Sequence, residues 1–277
     1  MAEYAHAPLK KMRNALDENG NVIYQLALGD ELINMNDLLG KQVTLSYNGH
    51  IACQNCGKKT KKSYSQGFCF PCMQKLAQCD MCILKPETCH HHLGTCREPS
   101  WGEEHCMVPH YVYLSNTSGL KVGITRHTQL PTRWIDQGAT QALPIFKVQS
   151  RIQSGKVEIA LGKHIGDKTN WRAMLKGSAE DVDLKAIADE LIDKVADELT
   201  EIEASLPLGS IQRLNEDIVS LTYPVLTYPT KISSFNFDKT DDVSGTLTGI
   251  KGQYLYFDTG VINIRKFTSY HVGLTHE

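Results

Sequence analysis

The spacing of apolar and polar positions changes several times along the chain, and each change marks an element. In 22–26 and 43–47, β-branched and aromatic residues lie between Gly and Asn punctuation, which predicts strands within 21–52. Residues 53–106 hold too few periodic apolar positions to build a core of their own, so a bound metal would have to stabilise them. From 110 to 176 the pattern reads strand, strand, helix, strand, helix. Strands at 110–114 and 120–125 flank a turn at 115–119. A helix opens at Pro131, a good first-turn residue, and carries Arg133, Trp134 and Ile135. A third strand covers 145–148, and Val157, Ala160, Leu161 and Ile165 then recur at helical spacing. Residues 179–205 predict one amphipathic helix with the stripe Ile187, Leu191, Val195, Leu199 and Ile202, ended by Leu206-Pro207 and Gly209. That stripe reads as core packing.

After Pro224 and Pro229, strands are predicted at 231–237, 243–250 and 253–264. Asp258-Thr259-Gly260 splits the last one as a hairpin turn. The same tripeptide resembles an aspartic-protease signature, but those enzymes need two such aspartates close enough to share a proton. The expectation is an α+β protein in five segments. These are an N-terminal β segment (1–52), a double zinc-binding module (53–109), a mixed sheet with helices (110–178), an acidic helical segment (179–221) and a β-rich C-terminal segment (222–277). The two terminal segments are expected to share a small barrel or sheet.

Composition is that of an ordinary globular protein, with 41% hydrophobic and 22% charged residues among 277. No apolar run approaches the ~20 residues that span a bilayer, and the N-terminus lacks a signal-peptide pattern. These features point to a cytoplasmic protein with no membrane partner. The net charge of −2 hides a strong asymmetry. Residues 41–78 carry six Lys/Arg and no acid, residues 109–179 carry ten against three, and residues 180–221 carry three against twelve. Clustered positive charge is the footprint of a phosphate-bearing partner, DNA or RNA. Charge balance between touching segments is the alternative account. The acidic helix at 180–205 is a candidate docking face for a protein partner.

All nine cysteines fall between Cys53 and Cys106. Cys53-x2-Cys56 and Cys69-x2-Cys72 each aim two thiolates at one point, and together they specify a structural Zn²⁺ cage. Lys58, Lys59, Lys61 and Lys62 lie on the intervening loop, as candidate nucleic-acid contacts. Cys79-x2-Cys82 reads as a third knuckle of a second zinc site, completed from Cys89, Cys96 and Cys106. His90, His91, His92, His105 and His110 are further candidates. About two structural zincs are therefore expected.

Tyr111-Val112-Tyr113, Lys121-Val122-Gly123-Ile124-Thr125, Arg133 and Glu158 together resemble the GIY-YIG nuclease superfamily over residues 111–175. The whole chain also resembles an uncharacterised bacterial family of zinc-containing proteins with this core. The superfamily fold begins with two short strands that each carry half of the motif, followed by a helix with an Arg and a later helix with a Glu. The resemblance implies that Tyr113 positions or deprotonates water, Arg133 contacts phosphate and Glu158 holds Mg²⁺ or Mn²⁺. It also implies that Gly123 lets the phosphate approach the strand. Lys121 stands where the second motif tyrosine is usual, so it would supply charge rather than tyrosine chemistry. Arg126, Arg151 and Arg172 add positive charge nearby, and Asp136, Gln137 and His164 are candidate supporting groups. Trp134 and Trp171 read as core residues. Three functions stay open: metal-dependent phosphodiester cleavage, nucleic-acid or ribonucleoprotein binding without cleavage, and a protein-interaction scaffold.

Overall fold

The computed structural model describes residues 2–165, 170–207 and 209–277. Strands β1 (Ala2–Pro8), β2 (Arg13–Leu16), β3 (Val22–Leu28), β4 (Glu31–Asn34) and β5 (Gln42–Ile51) lead into the cysteine-rich stretch. That stretch holds two short helices, α1 (Phe70–Lys75) and α2 (Pro99–His105), and several 3-10 turns. Then come β6 (His110–Asn116), β7 (Leu120–Arg126), α3 (Thr132–Asp136), β8 (Gln141–Val148) and α4 (Arg151–Gly162), in the expected order. Helices α5 (Trp171–Lys176), α6 (Leu184–Lys194) and α7 (Ala196–Ala204) precede two short strands, β9 (Ile211–Arg213) and β10 (Val219–Ser220). The chain closes with β11 (Asp242–Lys251), β12 (Tyr254–Phe257), β13 (Gly260–Asn263) and β14 (Tyr270–His276).

Both ends of the chain meet in one six-stranded sheet of order β1-β14-β5-β11-β12-β13. Leu45 of β5 lies opposite Val243 of β11 on one side and Leu274 of β14 on the other. Period-two alternation turns Val43 and Leu45 inward while Gln42 stays exposed. The 22–28 strand belongs instead to a separate three-stranded sheet, β2-β3-β4. It buries Val22, Tyr24 and Leu26 in the same hydrophobic core as the larger sheet.

The central sheet has the order β10-β8-β6-β7, with β9 also on β8. β6 lies between β7 and β8 and pairs antiparallel with both. Its two faces serve different cores. Val112 and Leu114 pack with Val157 and Leu161 of α4 and with Leu184 and Leu191 of α6. Tyr113 points the other way and joins Trp134 and Ile135 in the terminal core. The apolar stripe of the acidic segment thus packs on this sheet, with Ile187 and Leu199 at its margin.

Two expectations are corrected. Residues 179–205 form two helices rather than one. The first starts only after Asp183, whose carboxylate accepts from the Lys185 and Ala186 N–H groups as an N-cap. The chain then turns at Val195, which is buried against the sheet, before α7 begins. Residues 231–237 contribute a single bridge, Ser234 to Val261, rather than a strand. Asn236 breaks the run, because its side chain accepts from the Asp238 N–H and its carbonyl from the Lys239 N–H, closing a local turn.

Asp258 and Thr259 form the β12–β13 turn, with Phe257 opposite Gly260. Asp258 Oδ1 accepts from the Thr246 N–H at 3.0 Å and the Thr259 hydroxyl donates to the Ser244 carbonyl at 2.9 Å, so the tripeptide is a hairpin turn. Among the described residues, no helix is long and apolar enough to cross a membrane.

Candidate functional site

The first cysteine set is built by two local turns. The Gly57 N–H donates to the Cys53 carbonyl at 2.8 Å, and Cys53 N–H donates to Lys58 at 2.9 Å. Cys69 opens α1, with Pro71 in its first turn. The sulfurs of Cys53, Cys56, Cys69 and Cys72 all lie within 4.8 Å of one another. Cys56 Sγ and Cys69 Sγ are 3.7 Å apart. A tetrahedron with Zn–S bonds of about 2.3 Å has edges of about 3.8 Å, so this donor set fits zinc. Burial works against the Cys53 thiolate, but N–H groups of Cys56, Cys69 and Asn55 hold it and bring its pKa down to about 6. The four lysines of the intervening loop are all exposed. Beside them, exposed Phe70 meets Tyr64 edge-on at 5.5 Å.

The second set assembles differently. Cys79 packs with the first cluster, beside the Ser65 hydroxyl, and not with Cys82. Cys82, Cys89 and Cys106 are buried together against Trp101, Met107 and Ile152. With Cys96, His90 and His91 they bound a cavity of about 10 Å³, room for one ion or one water. A Cβ at Gly102 would lie 2.7 Å from His91 Cδ2 and 3.3 Å from Cys96 Sγ, so the glycine lets both approach. A hydrogen bond from the Cys106 thiol lowers the Cys89 pKa to about 5 and raises that of Cys106. Asp80, Cys82 and His90 also offer ligand atoms within 4.8 Å of one another, yet Asp80 is already held by Arg97 Nε at 2.6 Å and by the Cys82 N–H at 3.2 Å. His105 stacks on Trp101 at 4.1 Å, and His110 Nδ1 donates to the Val108 carbonyl at 2.7 Å. Burial pushes the His110 pKa down to about 4. Neither of these histidines, nor His92, borders the cavity.

Just downstream lies a cleft of about 340 Å³. Arg126 comes from the end of β7, Arg133 from α3, and Arg151 and Glu158 from α4. Lys11 and Arg265 reach in from the terminal β units, and Ile83, Leu84 and Pro86 of the cysteine module form one wall. That wall rests directly on α4, since a Cβ at Gly155 would lie 2.5 Å from the Glu87 nitrogen. Arg151 clamps the wall by donating to the Ile83 carbonyl at 2.6 Å and the Cys82 carbonyl at 3.5 Å. Five cations therefore surround two carboxylates, Asp136 and Glu158. The Asp136 side chain is only 4% exposed and is bound by Lys11, by Asn14 at 2.9 Å and by Gln253 at 2.8 Å. Burial pushes the pKa values of Arg126, Arg151 and Arg265 down, and guanidinium groups nonetheless stay charged. The cleft concentrates partly desolvated positive charge.

The residues singled out in the sequence fall into separate places. Arg133 and Glu158 share the cleft with Arg126 and Arg151. Tyr113 does not open into it. Its ring is fully buried and its hydroxyl donates to Gln137 Oε1 at 2.9 Å. Burial raises its pKa to about 12, so the phenol keeps its proton at neutral pH. Gly123 makes room for that ring, because a Cβ there would lie 2.6 Å from the Tyr113 Cζ and hydroxyl oxygen. Lys121 is half-buried opposite Ser115 and does not line the cleft. Arg172 lies 4.4 Å over the Trp171 ring, which stacks on Tyr254 at 6.0 Å, again outside the cleft. Trp134 is buried against Tyr113, and His164 is exposed. The sequence reading passed over Lys10, Lys11, Arg13 and Arg265. The run Lys10-Lys11-Met12-Arg13 was a visible signal.

These features define an α+β protein with a four-cysteine cluster and an Asp80, Cys82 and His90 group that could each hold a metal ion such as zinc. The chain belongs to the family described as "Protein of unknown function (DUF2797)", whose model matches residues 40–272. No curated protein and no solved structure matches it.

Proposed function

We propose that this protein binds nucleic acid through the arginine-lined cleft, and that the cleft is a GIY-YIG-type phosphodiester site. Arg133 would grip the phosphate with its fork of donors. Glu158 would hold a Mg²⁺ or Mn²⁺ ion, a hard cation suited to one carboxylate plus phosphate oxygens and water. The observation that carries this reading is the charge balance in the cleft, where five cations face two carboxylates and Lys11 neutralises one of those. Such a site is built for an anion. The sulfur-rich clusters would support folding, because a four-thiolate cage leaves no open metal position. A bound divalent ion supplies an acidified water in such chemistry, so a phenolate from Tyr113 is not required.

A second reading is binding without cleavage. It is favoured by the burial of Tyr113, with a pKa of about 12, and by lysine at position 121. Incubation of labelled DNA and RNA with Mg²⁺ or Mn²⁺ separates the two. Glu158→Gln is expected to lose cleavage by about 100-fold or more while still shifting the substrate in a gel. If wild type and variant both bind and neither cleaves, the binding-only reading holds. Absence of any salt-sensitive binding would defeat both.

A further inference from the structure

A second, larger recess lies beside the cleft and shares residues with it. It measures about 800 Å³ and runs between the N-terminal hairpin and the first cysteine set. Lys10, Lys11, Arg13 and Arg265 line it, and no Asp or Glu does so among the described residues. Lys11 and Arg265 also line the 340 Å³ cleft, so the two depressions share a boundary of positive charge. Gln54, Gln66 and Gln78 add side-chain amides, each able to donate to and accept from a base edge. Gln66 Oε1 already accepts from Arg265 Nε at 2.5 Å, which fixes that guanidinium at the junction.

Resting on the nucleic-acid reading above, we infer that this groove is the track for a single nucleic-acid strand and delivers its backbone to Arg133 and Glu158. Lys11 is paired with Asp136, but Lys10, Arg13 and Arg265 line the recess with no acid in its lining among the described residues, which suits a polyphosphate chain. Amides within the recess suit unpaired bases, whose hydrogen-bonding edges are exposed only when the strand is not in a duplex. The size argues the same way. Pockets of roughly 300–1,000 Å³ enclose a drug-sized ligand, which corresponds to a few nucleotides of one strand. A duplex, whose major groove alone is about 12 Å wide, does not enter such a recess. The cations come from three separate parts of the chain, the β1–β2 connection, β2 and the turn before β14. Two of them, Lys10 and Arg13, are exposed and outside the core, and Lys10 donates to the Gly29 carbonyl at 2.8 Å, so their substitution is expected to leave the fold in place.

The test is fluorescence anisotropy with labelled single-stranded DNA and RNA of about 12 nucleotides, against the matching blunt duplex. Wild type, Lys10→Gln/Arg13→Gln and Glu158→Gln are compared over a salt series, with far-UV circular dichroism to verify folding. The double variant is expected to bind single strands about 10-fold more weakly, with a log–log salt slope smaller by about 1.4 for two lost phosphate contacts. Glu158→Gln is expected to keep the wild-type slope. If the double variant matches wild type in affinity and slope, or if the duplex binds more tightly than the strand, the groove inference is overturned while the cleft reading stands. If wild type binds neither form, both fall together.

Discussion

The two cysteine sets lie next to each other in the chain but are held by different means. The first is local. Two short turns bring Cys53, Cys56, Cys69 and Cys72 within 4.8 Å of one another, and its loop faces solvent. The second is tertiary. Cys82, Cys89 and Cys106 are drawn from three places in the chain and packed against Ile152 of α4. Arg151 clamps the carbonyls of residues 82 and 83, and the Arg151 N–H donates to the Cys106 carbonyl at 2.8 Å. The first set meets the terminal β units through side-chain hydrogen bonds, from Ser63 to the Thr268 carbonyl and from Ser269 to the Gly67 carbonyl, whereas the second set is part of the wall of the arginine-lined cleft. Neighbouring cysteine sets in one stretch of chain therefore differ in how they are coupled to the rest of the molecule.

The strongest way to break this comparison is to remove one ligand from each set. Cys69→Ser is expected to lower the zinc content by about one ion per chain and to open the 57–67 loop to protease, leaving the main unfolding transition in place. Cys106→Ser is expected to lower that transition by about 3–5 kcal/mol as well. Elemental analysis with urea unfolding reads both. A main transition equally lowered by Cys69→Ser would show that the first set is not autonomous.

A smaller effect sharpens the role of the clamp. Arg151→Met removes charged hydrogen bonds to two carbonyls and is expected to cost about 2–3 kcal/mol. Combined with Cys106→Ser it should be non-additive, because both changes act on one packed unit. Additive losses in the double variant would mean that the wall and the helix are energetically independent.

The smallest expected effect concerns the tyrosine under the cleft. Tyr113→Phe deletes the hydrogen bond to Gln137 and the hydroxyl's contact with Arg133, about 1–2 kcal/mol. With a folded pKa of about 12 against 10.0 in the unfolded chain, Tyr113 keeps its proton throughout pH 6–9. Above pH 10 the unfolded chain releases the proton first, so the residue lowers stability as pH rises from about 10 to 12. Any cleavage should therefore show the same pH–rate profile in Tyr113→Phe as in wild type, within about 3-fold. A loss near 100-fold would return Tyr113 to the chemistry.

The sequence reading reached some features and missed others for physical reasons. The strands and helices from His110 to Gly162 were visible because each carries its own period and turn residues. Arg133 and Glu158 were visible as a motif, and they do share one cleft. The buried place of Tyr113 was not visible, because residues 112 and 113 are both apolar and β6 is covered on both faces. The length of the 179–205 helix was overestimated because the stripe continues through Val195, where burial against the sheet turns the chain. Asp136 was a candidate supporting group on sequence, and only long-range packing brings Lys11, Asn14 and Gln253 onto it.

By itself the sequence determined the elements from His110 to Gly162, the basic and acidic segments and the first four-sulfur cluster, since periodicity, charge and a Cys-x2-Cys turn act over a few residues. The tertiary structure alone decided that Cys79 leaves the second thiol set, which strands make up the expected terminal sheet, and the groove that Lys10, Lys11, Arg13 and Arg265 share. Those juxtapositions join residues up to a full chain length apart, and no local spacing encodes which distant faces will exclude water together.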